Sequence, residues 1–327
     1  MGGLAAALRD RGHRVRLVTL RDDVERGLDG IEVVRLPRVG PRRYPSARGL
    51  LDAVRGADVV HVHGLDGLLD TLVSRRAAVG APIGVSTHGG YFHTARTPLL
   101  KGLCLRTLTR WSLRRADAVW FTSASDRDVL APAGVDGPVM PDGVDVARFA
   151  AVVRRPEPGL VVVPGRIDVH KGLDDLLAVL GRHRDRAFRL EIVGREYAAG
   201  LVDRLRRQAA SLGIGDRVRF VGELDGEALL SAFGRADRIV LPSRYEGFGI
   251  AAIEAMAARV PLVLSDIPAW RVHADVARIV DLRDPQADVL SPLDPALVDR
   301  AAARAETWAW PARAEAWEAS YRALGRG

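Results

Sequence analysis

Cysteine is nearly missing from this chain: Cys104 is the only one in 327 residues. A single thiol excludes a disulfide framework and any cysteine-based metal site. It sits in the apolar run "GLCLRTL", where a packed core thiol is expected rather than a nucleophile, and this usage suits a reducing cytosol. Aromatic residues are scarce too, at 6%, so aliphatic side chains must fill the core and a base-stacking surface for nucleic acid is disfavoured. No run approaches the ~20 apolar residues that span a bilayer. The opening "MGGLAAALRDRGHRVRL" meets charge too early for a secretory leader. No carboxylate cluster of the kind that holds Mg²⁺ is visible, so no metal is expected.

What is present is globular in composition, with 48% hydrophobic and 27% charged residues, and the length suits two domains of about 150 residues each. The net charge is +7 and the pI about 10.2. Four readings of that charge stand side by side: nucleic acid, an anionic membrane surface, an anionic small substrate, or solvated arginines with no special partner.

Short, fully apolar strand signals recur along the chain. The first half carries "RVRLVTL", "IEVVRLP", "ADVVHVHG", "APIGVSTHG" and "ADAVWFTS". The second half carries "GLVVVPGRI", "RLEIVGRE", "VRFVGEL", "DRIVLPS", "PLVLSDI" and "ARIVDL". Helical patterns such as "GLDDLLAVLGRH" and "EALLSAFGRA" lie between most of them. Strands apolar on both faces, alternating with helices, imply parallel, doubly wound α/β sheets. Pro156 and Pro158 in "FAAVVRRPEPGL" mark a seam. The expected divisions are 1–152, 153–305 and a terminal helix over 306–327, broken or started at Pro311. A doubly wound domain ordinarily opens on a strand. Here Gly2-Gly3 leads straight into "LAAALRDRGH", so the first strand and the loop after it are expected to be either missing or encoded upstream.

Open α/β sheets bind ligands at the carboxyl ends of their strands. Four such ends carry polar or glycine-rich sequence: "HVHG" with His63, "VSTHGG" with His88, "VPGRIDVHKG" with Gly165, Arg166 and Lys171, and "LPSRYEGFGIAAIE". In the last, Gly247 and Gly249 let backbone amides approach an anion where a helix starts. Arg166 and Lys171 add two positive charges to this diphosphate cradle. Glu246 and Glu254, eight positions apart, would repel a phosphate, and hydroxyl groups of a ribose or sugar are their natural partners. Eight residues of helix rise ~12 Å, enough for the two acids to hold different parts of one nucleotide-sugar. His88 at a glycine-flanked strand end is expected in a site. His63 is expected to be a core histidine bonded to backbone, and His93 is a weaker candidate.

Taken together, these segments resemble the family 4 retaining glycosyltransferases of the GT-B fold. The resemblance runs through "HVHG", "STHGGYFHT", "ADAVWFTSASD", "VMPDGVDVARF", "VPGRIDVHKG", "LEIVGRE", "ADRIVLPSRYEGFGIAAIEAMAARVPLVLSD" and the terminal Trp/Tyr helix. The pattern of Glu246, seven residues, then Glu254 is its strongest signature. It implies two facing Rossmann-like domains with the active site in the cleft, the first binding acceptor and the second the nucleotide-sugar, with the terminal helix packing back on the first. It implies that Arg166 and Lys171 bind the donor diphosphate. Gly165, Gly247, Phe248, Gly249 and Ile250 would line the phosphates and donor sugar, and Gly2-Gly3 would be the remnant of a phosphate loop. Glu246 would hold the transferred sugar, Glu254 the ribose, and His88 would sit beside the reacting sugar. Ser123 matches a position near the site.

Within the family, "STHGGYFHT" and "LLKGLCLRTLTR" resemble bacterial exopolysaccharide α-mannosyltransferases of acetan and xanthan type. That implies GDP-mannose as donor and a polyprenyl-diphosphate-linked acceptor, in the cytoplasm or at the inner face of the plasma membrane, with peripheral contact to anionic lipid. Front-face substitution assisted by the leaving phosphate is the expected chemistry, with double displacement through Glu246 as its alternative. A UDP-sugar transferase and a donor-binding protein of little activity are the rival functions. No cofactor, metal or nucleic acid is expected. Two positions and one segment depart from the family pattern: Asp142 stands where asparagine is usual, Arg259 where glycine is common, and "ARIVDLRDP" replaces a glycine-rich segment.

Overall fold

The computed structural model describes residues 2–21, 29–42, 44–88, 103 and 105–325. Cys104 and His93, and most of "STHGGYFHT" beyond His88, lie outside the described residues. The chain forms two compact units, Met1–Gly143 with Trp310–Gly327, and Val144–Ala309. The division falls ahead of the Pro156 seam because the helix Val146–Ala150 buries Val146 and Phe149 in the core of the second unit. The helix Trp310–Leu324, with Pro311 in its first turn, belongs to the first.

Each strand segment read from the sequence contains a strand. The second unit holds a six-stranded, all-parallel sheet in the order Val218–Gly222, Arg189–Val193, Leu160–Pro164, Arg238–Leu241, Leu262–Ser265, Arg278–Val280. Numbered along the unit, that is 3-2-1-4-5-6, the order of dinucleotide-binding sheets, with its switch point between Leu160–Pro164 and Arg238–Leu241. Side chains alternate across the sheet with period two. Leu160, Val162, Ile239, Leu241, Leu262 and Leu264 face one core, and Val161, Val163, Val240 and Val263 face the other. The first core is closed by Ala252, Ile253 and Met256 of the helix Ile250–Ala257. The second is closed by Leu176, Leu177 and Leu180 of the helix Leu173–Arg182.

In the first unit, Val60–His63, Ile83–Ser86 and Ala118–Trp120 form a parallel three-stranded sheet. Arg16–Leu20 pairs in parallel with Glu32–Leu36, and a two-residue antiparallel pair, Arg38–Val39 with Ser46–Ala47, was not legible in the sequence. The helix Gly2–Asp10 packs Leu4 and Leu8 with Trp317 of the terminal helix. Gly3 is required there: a Cβ on it would stand 2.0 Å from the Trp310 indole nitrogen.

Many arginines act as staples for main-chain carbonyls. Arg154 donates to the carbonyls of Phe233, Gly234 and Ala236, and Arg238 to those of Val289 and Ser291. This internal use accounts for part of the positive balance without an external polyanion.

The departure at Arg259 has a backbone explanation. It follows the helix Ile250–Ala257 and its cap Ala258, and its φ is +54°, the left-handed position that glycine ordinarily takes after a helix. Replacing Arg259 with glycine relieves about 1 kcal/mol of left-handed strain. It also removes an ion pair to Asp299 whose surface position makes it worth under about 1 kcal/mol. Chemical denaturation of Arg259→Gly is expected to show unchanged or modestly raised stability, and a marked loss would contradict the strain assignment.

Candidate active site

Both faces of the six-stranded sheet are covered, so its polar chemistry collects at the strand ends. Leu160–Pro164 runs into Gly165, whose φ of +127° turns the chain out of the sheet. The turn is held by a partner the sequence reading missed. Gly194, after Arg189–Val193, has a φ of +153°, and a Cβ there would lie 1.8 Å from the Gly165 carbonyl oxygen. Arg166 is exposed, lies 5.2 Å from the Tyr197 ring centroid and forms no ion pair with a described residue.

Asp168 caps the short turn Val169–Lys171 by accepting from the Val169 amide at 2.6 Å. Gly172 follows with a φ of +61°, and a Cβ on it would meet the Pro242 carbonyl oxygen at 2.1 Å. This close approach fixes the Lys171 loop against the end of Arg238–Leu241. Arg244 reinforces it, since its amide donates to the His170 carbonyl at 2.8 Å and its guanidinium reaches Asp174 and Asp175 at 2.9 and 2.8 Å. A small cavity at this switch point is lined by Gly165, Arg166, Lys171, Leu241, Pro242 and Ser243, among others.

Lys171 and Glu246 are brought into direct contact. The Lys171 ammonium donates to Glu246 Oε1, and the Ser243 hydroxyl donates to the same oxygen at 2.8 Å. The pattern of the sequence assigns these two charges to different parts of a ligand, whereas in the structure they pair. Gly249 has a φ of +77° and caps the helix Ile250–Ala257, and its Cβ would stand 2.2 Å from the Trp270 ring. Phe248 meets Trp308 edge to face at 5.2 Å, so its ring faces core. Nothing described lies within 4 Å of a Cβ at Gly247, and Ile250 is exposed.

Because the helix begins at Ile250, Glu254 sits about one turn into it, a rise of ~6 Å. The ~12 Å helical separation from Glu246 therefore does not apply. Burial pushes the Glu254 carboxyl up to about 7, against a smaller opposing pull from Arg148. No described group hydrogen-bonds its side chain.

In the first unit, His88 has a φ of +44°, a strained position for a residue with a Cβ. Its Nε2 lies 2.9 Å from His63 Nδ1 and its Nδ1 3.4 Å from Asp142. Burial would raise the Asp142 carboxyl, but the hydrogen bond and charge of His88 hold it below its ordinary value. His63 thus bonds to a side chain, not to backbone as expected. His61 was overlooked, although its two-residue spacing from His63 puts both on one face of the strand. The two rings stack at 4.0 Å, and His61 bonds Ser86 and Tyr321 at 2.7 and 2.6 Å. Burial, with His88 adding to it, pushes His61 down to about 3. Burial and the neighbouring histidines also hold His63 well below its ordinary value.

Ser123 is a helix cap, its hydroxyl accepting from the Asp126 amide at 3.1 Å. Gly2 and Gly3 lie in the first turn of the helix Gly2–Asp10. Among the described residues, no group of three or more His, Cys, Asp or Glu side chains is placed to hold a metal ion, and no helix is long and apolar enough to cross a membrane.

Comparison with known proteins places this geometry in a family. The profile described as Glycosyltransferase Family 4 matches residues 2–148, and that described as Glycosyl transferases group 1 matches residues 147–273. The chain is 33% identical over 306 residues to a phosphatidyl-myo-inositol mannosyltransferase of Mycolicibacterium smegmatis, covering 86% of this chain and 76% of that one. It is 41% identical over 245 residues to a GDP-mannose:cellobiosyl-diphosphopolyprenol alpha-mannosyltransferase of Xanthomonas oryzae pv. oryzae, covering 73% of this chain and 64% of that one. It therefore spans less than two thirds of the Xanthomonas protein's length. A sucrose-phosphate synthase structure from Thermosynechococcus elongatus shares the fold at a TM-score of 0.73 and 22% identity, over 98% of this chain and 91% of that one. The chain belongs to glycosyltransferase family 4, with the two Rossmann-like units of the GT-B fold.

Two outcomes test this geometry. Gly249→Ala combines a left-handed φ with a clash on Trp270 and is expected to cost about 1–3 kcal/mol of unfolding free energy; unchanged stability would contradict it. Glu254, with its carboxyl raised in the folded state, binds more protons folded than unfolded between about pH 4.5 and pH 7. Its contribution to stability is therefore present below that window and lost as pH rises through it. Glu254→Gln is expected to remove a fall of roughly 1–3 kcal/mol between pH 5 and pH 8. Parallel stability profiles for wild type and variant would refute the burial of this carboxyl.

Proposed function

We propose that this protein transfers a hexose from a nucleotide-sugar to an acceptor hydroxyl with retention at the anomeric carbon. The observation that carries the reading is the convergence of Gly165, Arg166, Lys171, Ser243 and Glu246 at the switch point of the 3-2-1-4-5-6 sheet. The donor diphosphate meets Arg166, Lys171 and the amides ahead of the helix Ile250–Ala257, where the helix dipole adds positive potential. Glu246 accepts from hydroxyls of the transferred sugar. Glu254, desolvated and without a described side-chain hydrogen bond, accepts from the ribose.

The reaction breaks the anomeric C–O bond to the diphosphate and forms a bond from the acceptor oxygen on the same face. The hydroxyl proton passes to the leaving phosphate oxygen, and the cations stabilise the negative charge that develops there. The strained backbone at His88 supports its role in orienting sugar and acceptor. No residue is needed as a metal ligand.

Mannose from GDP-mannose is the preferred donor, and a polyprenyl-diphosphate-linked glycan the preferred acceptor. This choice is supported by the 41% identity to the Xanthomonas GDP-mannose:cellobiosyl-diphosphopolyprenol alpha-mannosyltransferase. The excess of basic residues fits peripheral contact with an anionic membrane that carries such an acceptor.

Lys171→Ala is expected to lower transfer by ~10²–10³-fold, as for removal of one transition-state donor, while circular dichroism shows the fold retained. Assays with GDP-, UDP- and ADP-sugars and polyprenyl-diphosphate acceptors should give highest turnover with GDP-mannose. Near-normal turnover in the variant would remove the diphosphate assignment, and a preference for another sugar nucleotide would replace the donor.

A further inference from the structure

The two charges assigned to opposite halves of the donor are bonded to each other. Lys171 and Glu246 side chains are only 19% and 13% exposed, so their attraction is screened less than at a surface. Ser243, itself buried, donates to Glu246 Oε1 at 2.8 Å and holds the carboxylate on Lys171. Ser243 is in turn fixed by the Ser265 hydroxyl, which donates to its carbonyl. Other charges around the pair include Arg166, exposed and in no ion pair with a described residue, and Asp168 beside His170.

This arrangement treats donor and product differently. A nucleoside diphosphate that takes Lys171 must draw it from Glu246, leaving a half-buried carboxylate without its cation and close to a second anion. A nucleotide-sugar makes the same demand on Lys171 but brings hydroxyl donors for Glu246. Once the sugar has gone to the acceptor, Glu246 loses those donors and again competes with the diphosphate for Lys171.

We infer that the Lys171–Glu246 pair, held by Ser243, is an exchange device that favours the nucleotide-sugar over the nucleoside diphosphate and promotes release of the latter after transfer. The inference rests on the donor reading above. It makes Glu246 a determinant of donor-against-product selectivity, and Ser243 the residue that positions it.

The test is calorimetric titration of the full chain with GDP and GDP-mannose, and with UDP and UDP-glucose as the second pair. Wild type, Glu246→Gln and Ser243→Ala are compared. Glu246→Gln removes the competing charge and is expected to tighten GDP binding by ~10-fold. It should not tighten GDP-mannose binding comparably, so the preference for donor over product collapses. Ser243→Ala, which leaves both charges in place, is expected to shift the preference in the same direction by a smaller factor. Circular dichroism of each variant establishes that it is folded. Wild type that binds both members of a pair, with folded variants keeping its preference or binding the diphosphate more weakly, overturns the exchange and leaves the donor reading standing. Wild type that binds none of the four ligands overturns the donor reading and the exchange with it.

Discussion

The helices on both faces of the second unit's parallel sheet confine its chemistry to the strand ends. Val161 and Val162 point into opposite cores and both are fully buried, so no charge can enter from either face without large desolvation cost. Parallel strands also end together, which gathers successive loops at one edge. Gly165 and Lys171 from one strand, and Ser243 and Glu246 from its neighbour, meet there for topological reasons. The close approaches of Gly194 to Gly165 and of Gly172 to Pro242 then fix the loops, and Arg244 locks the Lys171 turn to Asp174 and Asp175.

Acidic groups within a basic protein acquire a physical purpose in that setting. Glu254 is desolvated enough to rise to about 7, whereas Glu246 sits against a cation and a hydroxyl. The two carboxyls therefore sit in opposite settings, one dry and the other paired with a cation. In the first unit a different polar chain runs from Asp142 through His88 to His63, whose ring stacks on His61 at 4.0 Å. His88 pays for its place there with a left-handed backbone.

Most of the architecture was legible because apolar runs bounded by glycine and charge leave few alternatives for a strand. The seam, the terminal helix at Pro311 and the polar strand ends were legible for similar local reasons. The misread features depend on contacts between distant segments. Lys171 and Glu246 are 75 positions apart, and nothing local to either announces the other. Gly249 reads as a phosphate-loop glycine, yet Trp270 beneath it and a φ of +77° already require it. Its left-handed backbone also starts the helix later than the apolar pattern suggested. His61 was hidden by its more suggestive neighbour His63, and Ser123, read as a site residue, also serves as a helix cap.

The proposed donor site lies at the strand ends of the second unit. Hydrogen exchange of the full chain, followed by mass spectrometry with and without saturating GDP-mannose, measures that directly. Slowed exchange is predicted in segments 165–172 and 243–254. Saturable binding that leaves both segments exchanging at the unliganded rate would contradict it.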